Sequence, residues 1–188
     1  MLFACSLKSS SDSTSSNDTQ TVGPNEVPSN NLNGNVPAVS LMLPEFTALN
    51  ADGNTRNKEN LLDQRTVLWF YPITGTPGWT LEGCGFRDLY EDFQALNVEI
   101  IGVGFGEPSA NQAWIDDQGY QYEIWSDTNR TLAVHYGAAD SVDQSYPSRV
   151  TKLIDTDGTL ILEYNDASFL SNPQDVLDDC NILFANDE

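Results

Sequence analysis

The sequence of residues 41–188 predicts an α/β fold: a central mixed sheet with helices on both faces and a β-hairpin at its N-terminal end. Three observations lead there. Short β-rich apolar runs alternate with stretches of helical periodicity, two later apolar runs flank an Asp-Gly turn, and neither pattern begins before about residue 41.

The elements follow in order. Residues 45–49 read as a strand that enters a hairpin turn at Asn50-Ala51-Asp52-Gly53. The run 66–71, Thr-Val-Leu-Trp-Phe-Tyr, is the apolar type of a central strand. Between 80 and 96, Phe86, Leu89, Tyr90, Phe93 and Leu96 recur at spacings of three and four, which predicts one helix. Residues 98–103 give a second buried strand, 109–118 a helix, 122–125 a strand and 132–136 a short helix. Residues 150–154 and 159–164 flank Asp155-Thr156-Asp157-Gly158 as a hairpin. Its D-x-D-G lacks the later ligands of a calcium loop, so it reads as a turn. A last helix runs from Asn172, as N-cap with Pro173 in first position, to about Phe184. Alternating strands and helices followed by an antiparallel pair fit a thioredoxin-like fold.

Residues 1–40 differ in composition. They are Ser/Asn-rich and lack apolar periodicity, which predicts a disordered tether. At its start, Leu2-Phe3-Ala4-Cys5 resembles the end of a bacterial lipoprotein signal, with a small residue before the cysteine that takes the lipid, but the basic and most of the apolar parts of such a signal are missing. Two readings stay open: lipidation of Cys5, which places the protein in the bacterial cell envelope, lipid-anchored or exported; and a lone thiol on a cytoplasmic protein.

The formal charge is −20, from 28 acidic and 8 basic residues, so the chain repels phosphate backbones and nucleic acid is excluded as a main partner. Anionic lipid repels it too, leaving membrane contact only through a lipid on Cys5. No pair among Cys5, Cys84 and Cys180 has C-x-x-C spacing, which excludes zinc knuckles and thioredoxin-type dithiols; no metal and no cofactor is expected.

The segment 70–88, Phe-Tyr-Pro-Ile-Thr-Gly-Thr-Pro-Gly-Trp-Thr-Leu-Glu-Gly-Cys-Gly-Phe-Arg-Asp, resembles the peroxiredoxin family of the alkyl hydroperoxide reductase/thiol-specific antioxidant type. The nearest subgroup is peroxiredoxin Q, also called bacterioferritin comigratory protein. The resemblance spans about residues 43–184. In that family the loop reads P-x-x-x-T-x-x-C and an Arg arrives from a later strand; Pro72, Thr76 and Arg149 match these positions. The resemblance implies a peroxide-reacting cysteine at position 79, which here is Trp79, and a resolving cysteine five residues later, where Cys84 stands. It implies thioredoxin-dependent peroxide reduction, with thioredoxin or another thiol reductant as partner.

That chemistry needs a thiolate to attack the O–O bond, favoured by a helix N-terminus and the Arg cation. Indole supplies no thiolate, so Trp79 predicts a binding frame, Pro72, Thr76 and Arg149, without its reagent. The alternative is an oxidoreductase working through Cys84. As a residue well inside the helix, Cys84 also reads as a buried, inert thiol. A bridge from Cys84 to Cys180 of the last helix is conceivable if their Cα atoms lie within about 7 Å. His135, in a packing helix, reads as structural, and Trp69, Trp114 and Trp125 read as core. Arg149, without a thiolate, is expected to stack on Trp79 or to pair with an acid such as Glu82.

Overall fold

The computed structural model describes residues 31–165 and 168–185. Among the described residues, seven strands form one mixed sheet in the order β2-β1-β5-β4-β3-β6-β7. The N-terminal hairpin is β1 (Ala48–Leu49) and β2 (Thr55–Arg56). The centre is parallel: β3 (Arg65–Phe70) beside β4 (Val98–Gly104), and β4 beside β5 (Glu123–Ser126). On the other side of β3 run β6 (Val150–Ile154) and β7 (Leu160–Asn165), both antiparallel to their neighbours.

Helices α1 (Pro77–Asp88), α2 (Tyr90–Ala95), α3 (Pro108–Gln118) and α5 (Asn172–Phe184) cover one face. The short α4 (Thr131–His135) covers the other with its flanking loops. Strand alternation divides the core accordingly. Val67, Trp69 and Tyr71 meet the first group, whereas Leu68 and Phe70 meet Leu132 and Tyr136 on the second. Trp69, Trp114 and Trp125 are buried, as their sequence context predicts. Trp69 crosses the sheet surface only because its neighbour is Gly102: a Cβ there would sit 2.6 Å from Ile124 Cδ1 and 3.2 Å from the Trp69 ring.

Three boundaries differ from the sequence reading. The helix expected over 80–96 begins at Pro77 and breaks at Leu89, where the amide returns to Gly85 and Arg87. Phe86 and Phe93 are buried on either side and pack together at 6.0 Å, so the apolar period runs unbroken through the interruption. The cap of α5 is Ser171, with Asn172 already helical and side-chain bonded elsewhere.

The largest difference concerns the N-terminal segment. Residues 31–40, read as part of a disordered tether, lie along the outer edge of β7. Asn35 and Glu163 exchange backbone hydrogen bonds at 2.9 Å each way, and Leu160 N donates to Leu41 O at 2.8 Å. The buried Asp179 carboxylate on α5 fixes this strap by accepting from Asn33 N (2.8 Å), Gly34 N (2.8 Å) and Tyr164 Oη (2.7 Å). Unpaired edge groups of the last strand are thereby satisfied. Cys5 and the rest of the tether lie outside the described residues.

Candidate functional site

At the C-terminal ends of β3 and β4 the chain leaves the sheet, and the loop after β3 delivers α1. Thr76 is the N-cap, Pro77 holds the first helical position and Trp79 the third. The Thr76 hydroxyl is turned onto the Ile73 carbonyl at 3.3 Å and makes no cap bond to the helix. Across the opening, Arg149 precedes β6 and lays its guanidinium over the Trp79 ring, 4.0 Å from the centroid, with Phe169 on a further side at 5.2 Å. The stack and the ion pair expected as alternatives are both present, because Arg149 Nε also lies 3.5 Å from Glu82 Oε2.

Glu82 is one turn further along α1 and only 1 % exposed. Its Oε1 accepts from Asn172 Nδ2 at 2.9 Å, and the same amide reaches Thr151 Oγ1 at 2.8 Å. Burial pushes the Glu82 carboxyl up to about 7, against the opposing pull of Arg149 and the Asn172 hydrogen bond. A carboxylate, a guanidinium and an indole are thus layered from the core outward.

Beside them a cavity of about 430 Å³ opens, lined by Pro72, Trp79 and Arg149 and, from the loop before β6, by Gln144, Tyr146, Pro147 and Ser148. The structure therefore brings Pro72, Trp79 and Arg149 together, while Thr76 stands at the helix start outside the lining. Gln144 and Tyr146 carried no sequence signal, being in a loop without period or motif.

Cys84 is away from this opening. It is 3 % exposed within the aromatic core formed by Trp69, Phe86, Trp114 and Tyr122. Cys84 is disulfide-bonded, and Cys180 is a free buried thiol, so the Cys84–Cys180 bridge is not formed. Burial, with the charge of Asp179 beside it, pushes the Cys180 thiol up to about 12, far from thiolate formation at neutral pH. His135 is structural in its surroundings: its Nε2 lies 2.8 Å from the Met42 carbonyl and its ring meets Tyr136 edge-on.

Residues 39–162 match the model of the AhpC/TSA family. The chain belongs to that family. Within it, the relatives are of the peroxiredoxin Q and bacterioferritin comigratory protein type. The chloroplastic peroxiredoxin Q of Gentiana triflora is 32 % identical over 65 % of this chain and 56 % of its own length. That of Populus jackii is 30 % identical over 65 % of this chain and 57 % of its own. The chain thus spans little more than half of these plant relatives. Among solved structures, peroxidoxin BcpB from Mycobacterium tuberculosis matches with a TM-score of 0.69 at 25 % identity, over 74 % of this chain and 94 % of that one. Peroxiredoxin Q of Xanthomonas campestris shares the fold at a TM-score of 0.68 and 21 % identity, over 75 % of this chain and 95 % of that one.

Proposed function

We propose that this protein keeps the peroxiredoxin Q frame as a binding module and does not reduce peroxide by a thiol at the head of α1. The observation that carries this reading is the stack of Arg149 on Trp79 at the third position of that helix. A thiolate there would gain from the helix N-terminus and from the Arg charge. The indole takes the place, and the Arg charge is directed to the Trp79 ring and to Glu82. The cavity beside the stack, with aromatic, proline and amide walls, is the site at which a ligand or partner segment would bind.

The test is gain of function. With dithiothreitol supplied to reduce the disulfide at Cys84, Trp79→Cys should raise peroxide consumption measurably above the wild type, the freed Cys84 thiol being spaced to resolve a sulfenic acid at position 79. The gain should be modest, because errors of about 1 Å in such a site are costly. A Trp79→Cys protein that folds and carries a titratable thiol, yet reacts no faster than wild type, counts against the frame being intact.

The disulfide state of Cys84 favours a second reading: thiol–disulfide exchange through Cys84 with thioredoxin as the external reductant. It predicts reductive turnover that Cys84→Ser abolishes. Attachment to the envelope through a lipid on Cys5 is a further proposal. Fatty-acid labelling in the native host that depends on Cys5 supports it, and labelling indifferent to Cys5→Ser overturns it.

A further inference from the structure

The disulfide at Cys84 needs a second sulfur. The sequence holds three cysteines, Cys5, Cys84 and Cys180. Cys180 is a free thiol buried in α5. Within the chain that leaves Cys5, which lies outside the described residues.

The surroundings of Cys84 favour a partner from the same chain. Its Sγ is turned to the edge of the aromatic core, 3.6 Å from Oε1 of the half-buried Gln118 at the end of α3. Beside it Arg87 Nη1 donates to the Gln118 carbonyl at 2.7 Å. The sulfur thus faces the seam between α1 and the end of α3, and at 3 % exposure little can enter there. A small thiol such as glutathione would have to seat its own charged groups against that seam. A second copy of the chain would bring a further formal charge of −20 to the encounter. A cysteine on the same chain meets neither obstacle and acts at an effective concentration on the order of millimolar.

The described chain also begins on the right side of the sheet. Leu32 packs against the cluster that contains Cys84, and Asn33 and Gly34 are tied to Asp179 of α5, which packs against α1. Residues 6–31 separate Cys5 from Leu32. At ~3.3–3.6 Å per residue this length spans up to about 90 Å, well over the ~30 Å of a small domain, so reach sets no limit.

We propose that Cys5 is the second sulfur, so that a disulfide between Cys5 and Cys84 ties the start of the chain to α1 and its reduction sets that segment loose. Reduction by thioredoxin rests on the exchange reading of Cys84; the bridge itself does not. A dithiol reductant attacks at Cys5 Sγ, because Cys84 Sγ is enclosed. The S–S bond breaks, Cys84 leaves as a thiolate and takes a proton, and the second thiol of the reductant expels Cys5 from the mixed disulfide. Two electrons pass from the dithiol to the two cysteines. Forming the bridge transfers two electrons from the cysteines to a disulfide oxidant such as oxidised glutathione, which leaves as two thiols. A lipid on Cys5 takes the same sulfur, so the bridge belongs to the chain that carries none.

The experiment maps the disulfide in the full chain from Met1. The protein is equilibrated with oxidised glutathione, blocked with N-ethylmaleimide in denaturant and digested with trypsin without reductant. Trypsin cuts after Lys8, Arg65 and Arg87. Mass spectrometry should find peptide 1–8 joined to peptide 66–87 in a monomer, with the maleimide on Cys180, and dithiothreitol should part the two peptides. The proposal is overturned if Cys84 carries the maleimide, is joined to glutathione, or is joined to a second copy of the chain. Thioredoxin, its reductase and NADPH then separate the bridge from the exchange reading. A Cys5–Cys84 link that thioredoxin leaves intact upholds the bridge and overturns the exchange. Thioredoxin-dependent exchange at Cys84 that persists in Cys5→Ser overturns the bridge and leaves the exchange standing.

Discussion

Replacing Glu82 by Gln should flatten one component of the pH dependence of stability. Glu82 is 1 % exposed and titrates at about 7 in the folded protein, against an ordinary value of 4.5. Between those values the folded protein holds a proton that the unfolded chain has released. Glu82 therefore stabilises the fold fully below pH 4.5, and this contribution is lost as the pH rises through 7. The interval corresponds to about 3 kcal/mol. Glu82→Gln carries no titration, so its stability relative to wild type should improve by about 3 kcal/mol between pH 4.5 and pH 8. For a domain of this size that is a relative change in melting temperature of roughly 6–12 °C. Thermal unfolding followed by circular dichroism at several pH values measures it, and ionisation elsewhere cancels in the difference. Parallel wild-type and Glu82→Gln profiles would refute the reasoning and show that Arg149 and Asn172 hold the carboxylate ionised.

Asp179→Ala should cost about 3–5 kcal/mol in urea unfolding, since it strips a charged acceptor from the buried Gly34 N and Tyr164 Oη and from the partly buried Asn33 N. Hydrogen exchange at the Asn33 and Gly34 amides should accelerate before global unfolding; unchanged protection there contradicts the strap's anchoring. Cys180 should resist alkylation in the native protein and react only in denaturant, as peptide mass spectrometry of iodoacetamide-treated samples would show; native labelling contradicts the buried, high-pKa thiol. Gly102→Ala should destabilise by about 1–3 kcal/mol through its clash with Ile124 and Trp69, read from thermal melts.

The sheet was legible because β3 and β4 are buried on both faces and therefore read as continuous apolar runs. The hairpin of β6 and β7 was legible from its Asp-Gly turn. The break at Leu89 was not, since Phe86 and Phe93 on either side serve the same core and keep the helical period. The strap was invisible for a different reason. Asn33 and Gly34 look like any polar linker, and what orders them is a carboxylate more than 140 residues away. At the site, Pro72, Trp79 and Arg149 came from the motif, and their contact follows from α1 facing the start of β6. Tyr146 and Gln144 belong to a loop whose path no local pattern encodes.

The central claim concerns the wild-type protein and hydrogen peroxide. With thioredoxin, its reductase and NADPH supplied, the rate of peroxide consumption tests it most directly. The Arg149–Trp79 stack predicts a rate no faster than that of free cysteine at the same concentration. Rapid turnover that disappears in Cys84→Ser and survives in Cys5→Ser would contradict the claim and establish Cys84 as the reacting thiol.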